Sequence, residues 1–173
     1  MKKVYIFLQM AFISLLLFNC SNDDENLLSK RVPKEELFAV ESKPLTRANA
    51  NKYLFTIENI KSFNLKTREI VFVDFEPKTE LFPIYHNIEI HSYNKVLLHI
   101  ATFVSSYDSQ IFTDLSLVSE NNKFYLSNCY PRNLENNDKY AKENLGIKNS
   151  IYKRREEWKE FLSIIKKHGK LIE

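Results

Sequence analysis

Only two glycines occur in the chain, Gly146 and Gly169, and they stand far apart. A loop that wraps a phosphate in backbone N–H groups needs several glycines close together, so glycine-rich nucleotide loops are excluded. Cysteine is as scarce, with Cys20 and Cys129 the whole complement. Two thiols can form one bridge at most, which rules out the multi-disulfide frameworks that staple small secreted domains. Surplus charge is also lacking: 25 basic residues face 22 acidic ones, and Lys2 and Lys3 supply most of the difference. The remainder is nearly neutral, which gives no electrostatic case for nucleic acid or for an anionic membrane surface. No internal repeat is visible.

What is present is ordinary for a folded protein. The 173 residues are 44% hydrophobic and 27% charged, enough for one domain with a real core and too few for two comfortable ones.

The first 19 residues have a basic start at Lys2 and Lys3 and then a mostly apolar run from Val4 to Phe18. A helix of that length rises roughly 22 Å, short of a hydrocarbon core of about 30 Å, so the run reads as an export signal rather than a spanning helix. It ends at Leu17-Phe18-Asn19-Cys20, which resembles the lipobox of bacterial lipoproteins, with Asn19 where that family usually has Gly, Ala or Ser. The resemblance implies that the signal peptide is cut before Cys20, that its thiol carries a diacylglycerol, and that the new amino group is acylated. An ordinary secretory signal followed by a chance cysteine is the alternative. Ser21-Asn22-Asp23-Asp24-Glu25 looks like the export signal of Bacteroidetes surface lipoproteins, or else is a solvated acidic tether. The implied location is the outer membrane, lipid-anchored, facing periplasm or cell surface.

Residues 20–51 are rich in charge, Asn and Ser, contain Pro33 and Pro44, and lack apolar periodicity, so they read as lipidated N-terminus and tether, with a possible helical turn over Lys34 to Val40. The expected globular domain is 52–173. In it Thr56 can cap a short helical turn through Phe63, and Asn64 can turn the chain into a strand Glu69–Phe75. Further strands are expected at His86–Tyr93, Lys95–Val104, Ile111–Ser119 and Lys123–Tyr130, with close turns at Asn94 and at Asn121-Asn122. Ser150 can cap a helix to about His168, stopped by Gly169, whose Ile151, Trp158, Phe161, Leu162 and Ile165 form one apolar stripe; a shorter helix over Asn137–Leu145 is weaker. The expected fold is α+β: an antiparallel meander of about five strands with a C-terminal amphipathic helix on one face.

Chemistry-bearing residues are few. His86, Glu89 and His91 are possible metal ligands, but strand alternation puts Glu89 and His91 on one face and His86 on the other, and His99 would meet His91 only in the right hairpin register. No metal or other cofactor is expected. Cys129 is expected as a half-buried thiol with no base to activate it, so no catalytic residue is assigned. Tyr85, Tyr93, Tyr107, Tyr125 and Tyr130, near strand ends and loops, are packing residues or, alternatively, a stacking platform for sugars. The leading expectation is a non-enzymatic, membrane-anchored binding or accessory protein. The alternatives are a glycan-binding component of a surface uptake system and a hydrolase of envelope or host polymers.

Overall fold

The computed structural model describes residues 36–42, 53–76, 87–105, 110–134 and 137–173. All lie in one compact unit, Lys34–Glu173. Cys20 and the export segment, like His86, Tyr85 and Tyr107, lie outside the described residues.

The fold is α+β, as the pattern of strands followed by helix predicts, but its sheets are larger than a five-strand meander. One sheet has four antiparallel strands in the order β2-β1-β5-β6: β1 is Leu37–Glu41, β2 Phe55–Thr56, β5 Ile88–Ser92 and β6 Lys95–Ile100. The other has six, in the order β10-β3-β4-β9-β8-β7, from β3 (Ile60–Asn64), β4 (Glu69–Phe72), β7 (Thr102–Ser105), β8 (Ser116–Glu120), β9 (Lys123–Ser127) and β10 (Leu171–Ile172). Two of its pairings, β7 with β8 and β10 with β3, are parallel.

Within the stretch read as tether, where a helical turn was expected over Lys34 to Val40, residues Leu37–Glu41 are instead strand β1, which sits inside the four-stranded sheet between β2 and β5. Leu37, Phe38 and Ala39 are buried there. Four apolar residues in a row, Leu37 to Val40, between polar stretches are too few to show a period, so the sheet and not the local pattern decides their state. The run Lys95–Val104 is two strands, because at Ala101 the chain leaves one sheet and enters the other. The Ala101 N–H bonds to the Leu115 carbonyl at 2.8 Å.

The turns follow their side chains closely. Asn121 and Asn122 both take positive φ, +50° and +59°, which is the backbone of the close hairpin between β8 and β9. Asn64 accepts the N–H groups of Lys66 and Thr67 through its side chain and turns β3 into β4. Thr56 caps as expected, accepting from the Glu58 N–H, but the helical turn lasts only Ile57–Asn59 before β3 begins.

Two helices are present, but their boundary is not the one expected between the weaker helix over Asn137–Leu145 and the helix over Ser150–His168. Helix α1 is Ala141–Lys153 and α2 is Arg155–Lys167, so Ser150 lies inside α1 and caps nothing, and α1 runs on through Gly146. The break falls at Arg154, whose guanidinium donates to Asp114 at 2.5 Å and to Asn128 at 2.6 Å and so draws the backbone toward the sheet. Gly169, at φ +68°, ends α2 as expected: its N–H bonds to Lys166 and that of Lys170 reaches Ile165.

One main core joins both sheets to α2, with Ile90 and Leu98 from the first, Phe63, Ile70 and Leu117 from the second, and Phe161, Ile164 and Ile165 from the helix. Of the predicted stripe, Phe161 and Ile165 are buried, Trp158 and Leu162 pack at the margin, and Ile151 belongs to a separate small cluster under α1 with Cys129, Leu134 and Ile147.

Candidate functional site

The sequence candidates fall in three places. Glu89, His91 and His99 lie on one face of the four-stranded sheet, as strand alternation requires. Glu89 stands between the imidazoles, 3.1 Å from His91 Nε2 and 3.9 Å from His99 Nδ1. The partner of His99 across the ladder is Glu89 rather than His91; a bulge between Ile90 and His91 shifts the register by one residue and puts Glu89, instead of Ile88, opposite His99. His91 also stacks on Phe38, with ring centroids 5.2 Å apart. Among the described residues no group of three His, Cys, Asp or Glu is arranged to hold a metal ion.

Cys129 is more buried than strand alternation suggested, covered by Leu134 and Ile147, and its Sγ lies 3.4 Å from the Pro131 carbonyl. A thiol enclosed by apolar side chains presents no nucleophile to a substrate. Glu41, which sequence reasoning passed over, has one buried carboxylate oxygen without a hydrogen-bond partner, and burial raises its pKa above the ordinary carboxylate range. It stands alone, with no described acid or base converging on it.

The third place is a cleft of about 590 Å³ lined by Val118, Glu120, Tyr130, Pro131, Arg132 and Asn133. Its construction starts with the Asn121-Asn122 turn, which folds β9 back so that Tyr125 pairs with Val118. The chain then leaves the sheet at Tyr130, bonded to Phe112 through both backbone groups at 2.9 Å, and Arg132 returns over the hairpin. Its guanidinium lies 3.5 Å from the Tyr125 ring centroid. From there it donates to Glu120 Oε2 at 3.0 Å and to the Thr67 carbonyl at 3.1 Å, tying β8, β9 and the β3–β4 turn with one side chain. Such a fork is rigid because its plane matches both the carboxylate and the ring it covers.

This geometry alters the tyrosine reading. Tyr125 and Tyr130 do meet at one site, but Arg132 covers one face of Tyr125, and Tyr130 packs among Val104 and Val118. Neither is an open stacking platform. The cleft instead offers a charge-balanced pair, Arg132 with Glu120, beside the exposed Asn133 and an apolar wall from Val118 and Pro131. Arg132 and Asn133 carried no sequence signal, since only the folded hairpin puts them beside Glu120. An arrangement of this kind suits a neutral ligand that both donates and accepts hydrogen bonds. No protein-family model, no curated protein and no solved structure matches the chain.

Proposed function

We propose that the chain is a lipid-anchored, non-enzymatic binding or accessory protein of the bacterial cell envelope, held in the outer membrane through Cys20. The observation that carries this reading is the apolar run that stops at Leu17-Phe18-Asn19-Cys20 and turns at once into Ser21-Asn22-Asp23-Asp24-Glu25. Each buried methylene of an acyl chain contributes about 0.8 kcal/mol, so a single chain binds marginally and two or three hold firmly. A domain of soluble composition and a membrane address are therefore compatible. Growth with labelled palmitate is expected to mark the protein, and Cys20→Ala is expected to abolish the label and release the chain from membranes. An unlabelled wild type that fractionates as soluble would defeat the anchor.

A second reading, a glycan-binding component of a surface uptake system, is favoured by the charge-balanced cleft. Hydroxyl pairs of a neutral sugar match the oxygens of Glu120 and the amide of Asn133, with a carbon face against Pro131. Titration with neutral oligosaccharides tests it: Asn133→Ala is expected to weaken binding roughly tenfold, as losing one hydrogen-bond partner that the bound ligand would cover does. Binding unchanged in Asn133→Ala and in Glu120→Gln would remove the cleft from consideration. Hydrolysis of a glycan would require a second carboxylate beside Glu120, and none is among the described lining residues.

A further inference from the structure

We infer that the outward face of α1 is a second membrane contact, one that rests on anionic phospholipid headgroups once the anchor has brought the domain to the bilayer. The inference rests on the lipid-anchor reading and adds to it a protein surface. Leu145 is 63% exposed and Tyr152 is 67% exposed, and they lie two turns apart on the same side of the helix. Lys142, Lys148 and Lys153 are exposed around them, with no ion-pair partner among the described residues. At 100° per residue all five fall within a sector of roughly 140°, while the acid of this helix, Glu143, lies roughly 160° from Leu145 on the other side. Ile147, the buried residue of α1, points away as well. The outward face is therefore apolar at its centre, cationic at its border and free of carboxylates on its own helix.

That arrangement matches a headgroup layer rather than water or an acidic peptide. A leucine and a tyrosine enter the boundary between acyl chains and headgroups, and long lysines beside them keep their ammonium groups at the phosphates. At the start of α2, Arg155 stacks over Tyr152 at 4.6 Å and pairs with Glu156, which also accepts from Lys159, so that carboxylate is already engaged by two cations. The near-neutral total hid this surface, because the compensating acids lie on other elements. Glu36 lies sixteen positions after Cys20, and such a chain spans at most roughly 55 Å. A lipidated Cys20 thus confines the domain near the bilayer, where even a weak face is occupied through its high effective concentration.

The test uses the lipidated full chain reconstituted in vesicles, with Leu145→Cys carrying a polarity-sensitive fluorophore and Lys66→Cys as a reference position. Cys129 is buried and Cys20 is blocked by lipid, so the label is confined to the introduced thiol. On vesicles containing phosphatidylglycerol, quenching of the 145 label by acrylamide is expected to fall about threefold relative to pure phosphatidylcholine, with the reference unchanged. High salt, or Lys142→Glu with Lys148→Glu and Lys153→Glu, is expected to restore quenching, since attraction between exposed charges is screened within about 10 Å. Protein that floats with both vesicles but shows equal quenching on them overturns the inference and leaves the anchor standing. Protection that grows with protein density on phosphatidylcholine alone assigns the face to a second copy and also overturns it. Protein that floats with neither vesicle overturns the anchor reading itself.

Discussion

Helices α1 and α2 follow one another with a single residue between them and have 13 residues each, yet the fold uses them differently. Helix α2 buries Phe161, Ile164 and Ile165 in the main core, and most of its outward charges find partners: Lys159 with Glu156, Glu160 with Lys95, Lys167 with Glu36, while Glu157 keeps one buried carboxylate oxygen without a hydrogen bond. Helix α1 buries Ile147 alone, over the small cluster that holds Cys129, and leaves Leu145, Tyr152 and three lysines outward. A helix whose apolar residues are used up inside and whose cations are matched outside has little left to offer a partner. One with apolar residues outside and unmatched cations around them does. The difference separates a helix that closes the fold from one that presents a surface.

The strongest way to break this contrast is to empty the core under α2. Phe161 is fully buried and meets Phe63 edge-on with ring centroids 5.6 Å apart. Phe161→Ala is expected to cost about 3 to 5 kcal/mol in urea unfolding, a large part of the roughly 5 to 15 kcal/mol that holds an ordinary domain folded. Trp158→Ala should cost less, about 2 kcal/mol, because the indole lies at the margin of the core with the Arg68 guanidinium 4.7 Å from its ring. Equal midpoints for wild type and Phe161→Ala would mean that α2 is not what closes the fold.

The residue between the helices comes next. Arg154 is 13% exposed in its side chain and ties the helix break to Asp114, on the approach to β8, and to Asn128, just after β9. Arg154→Ala is expected to cost about 1 to 3 kcal/mol, since partly buried acceptors lose a charged donor. Arg154→Lys should recover little of it, because one ammonium does not reproduce two diverging guanidinium donors. Full stability in Arg154→Ala would show that the break belongs to the backbone and not to this side chain.

That residue also marks where the sequence was legible and where it was not. Local signals held: Asn64, Asn121-Asn122 and Gly169 each make the turn or stop their chemistry specifies, and the period of α2 pointed Phe161 and Ile165 inward. Partners distant in sequence were not legible. Asp114 lies 40 residues before Arg154, and nothing local forecasts that their pairing splits one helical pattern in two. Strand β10 is two residues long and exists because β3 lies open beside it; Leu37–Ala39 became a strand for the same reason, since β5 supplies the ladder. The cleft was legible only as separate tyrosines, because Arg132 reaches Glu120 through a hairpin that the sequence outlines but does not place.

A smaller effect follows from two carboxylates at the ends of β1, Glu36 just before it and Glu41 its last residue, whose pKa values are shifted in opposite senses. Glu36 accepts from Lys167 and His168 at the end of α2, and those hydrogen bonds lower its pKa. A depressed folded value gives stability that is present above the unfolded pKa and lost as pH falls through the folded one. Glu36→Gln is therefore expected to lower stability at neutral pH and to converge with wild type in acid. Glu41 is raised by burial, so its contribution is present below the unfolded pKa and lost as pH rises through the folded one. Glu41→Gln is expected to stabilise at neutral pH and to lose that advantage in acid. Melting temperatures of both variants across pH 3 to 8, the range in which carboxylates titrate, decide this; parallel curves would show that neither group is coupled to folding.

The smallest effect carries the most information about α1. If its outward face is a surface and not a displaced piece of core, Leu145→Ser and Tyr152→Ser should each shift stability by less than about 0.5 kcal/mol, as changes at exposed positions do. Ile147→Ala, two residues from Leu145 but turned inward against Cys129 and Leu134, should cost about 2 kcal/mol or more. The pairing matters because helix propensity changes little among these substitutions, so a large difference between neighbours can come only from what each side chain touches. Urea unfolding of the three variants measures it. A loss at Leu145 comparable to that at Ile147 would mean that Leu145 is covered in the folded chain, and the contrast between the two helices would then collapse.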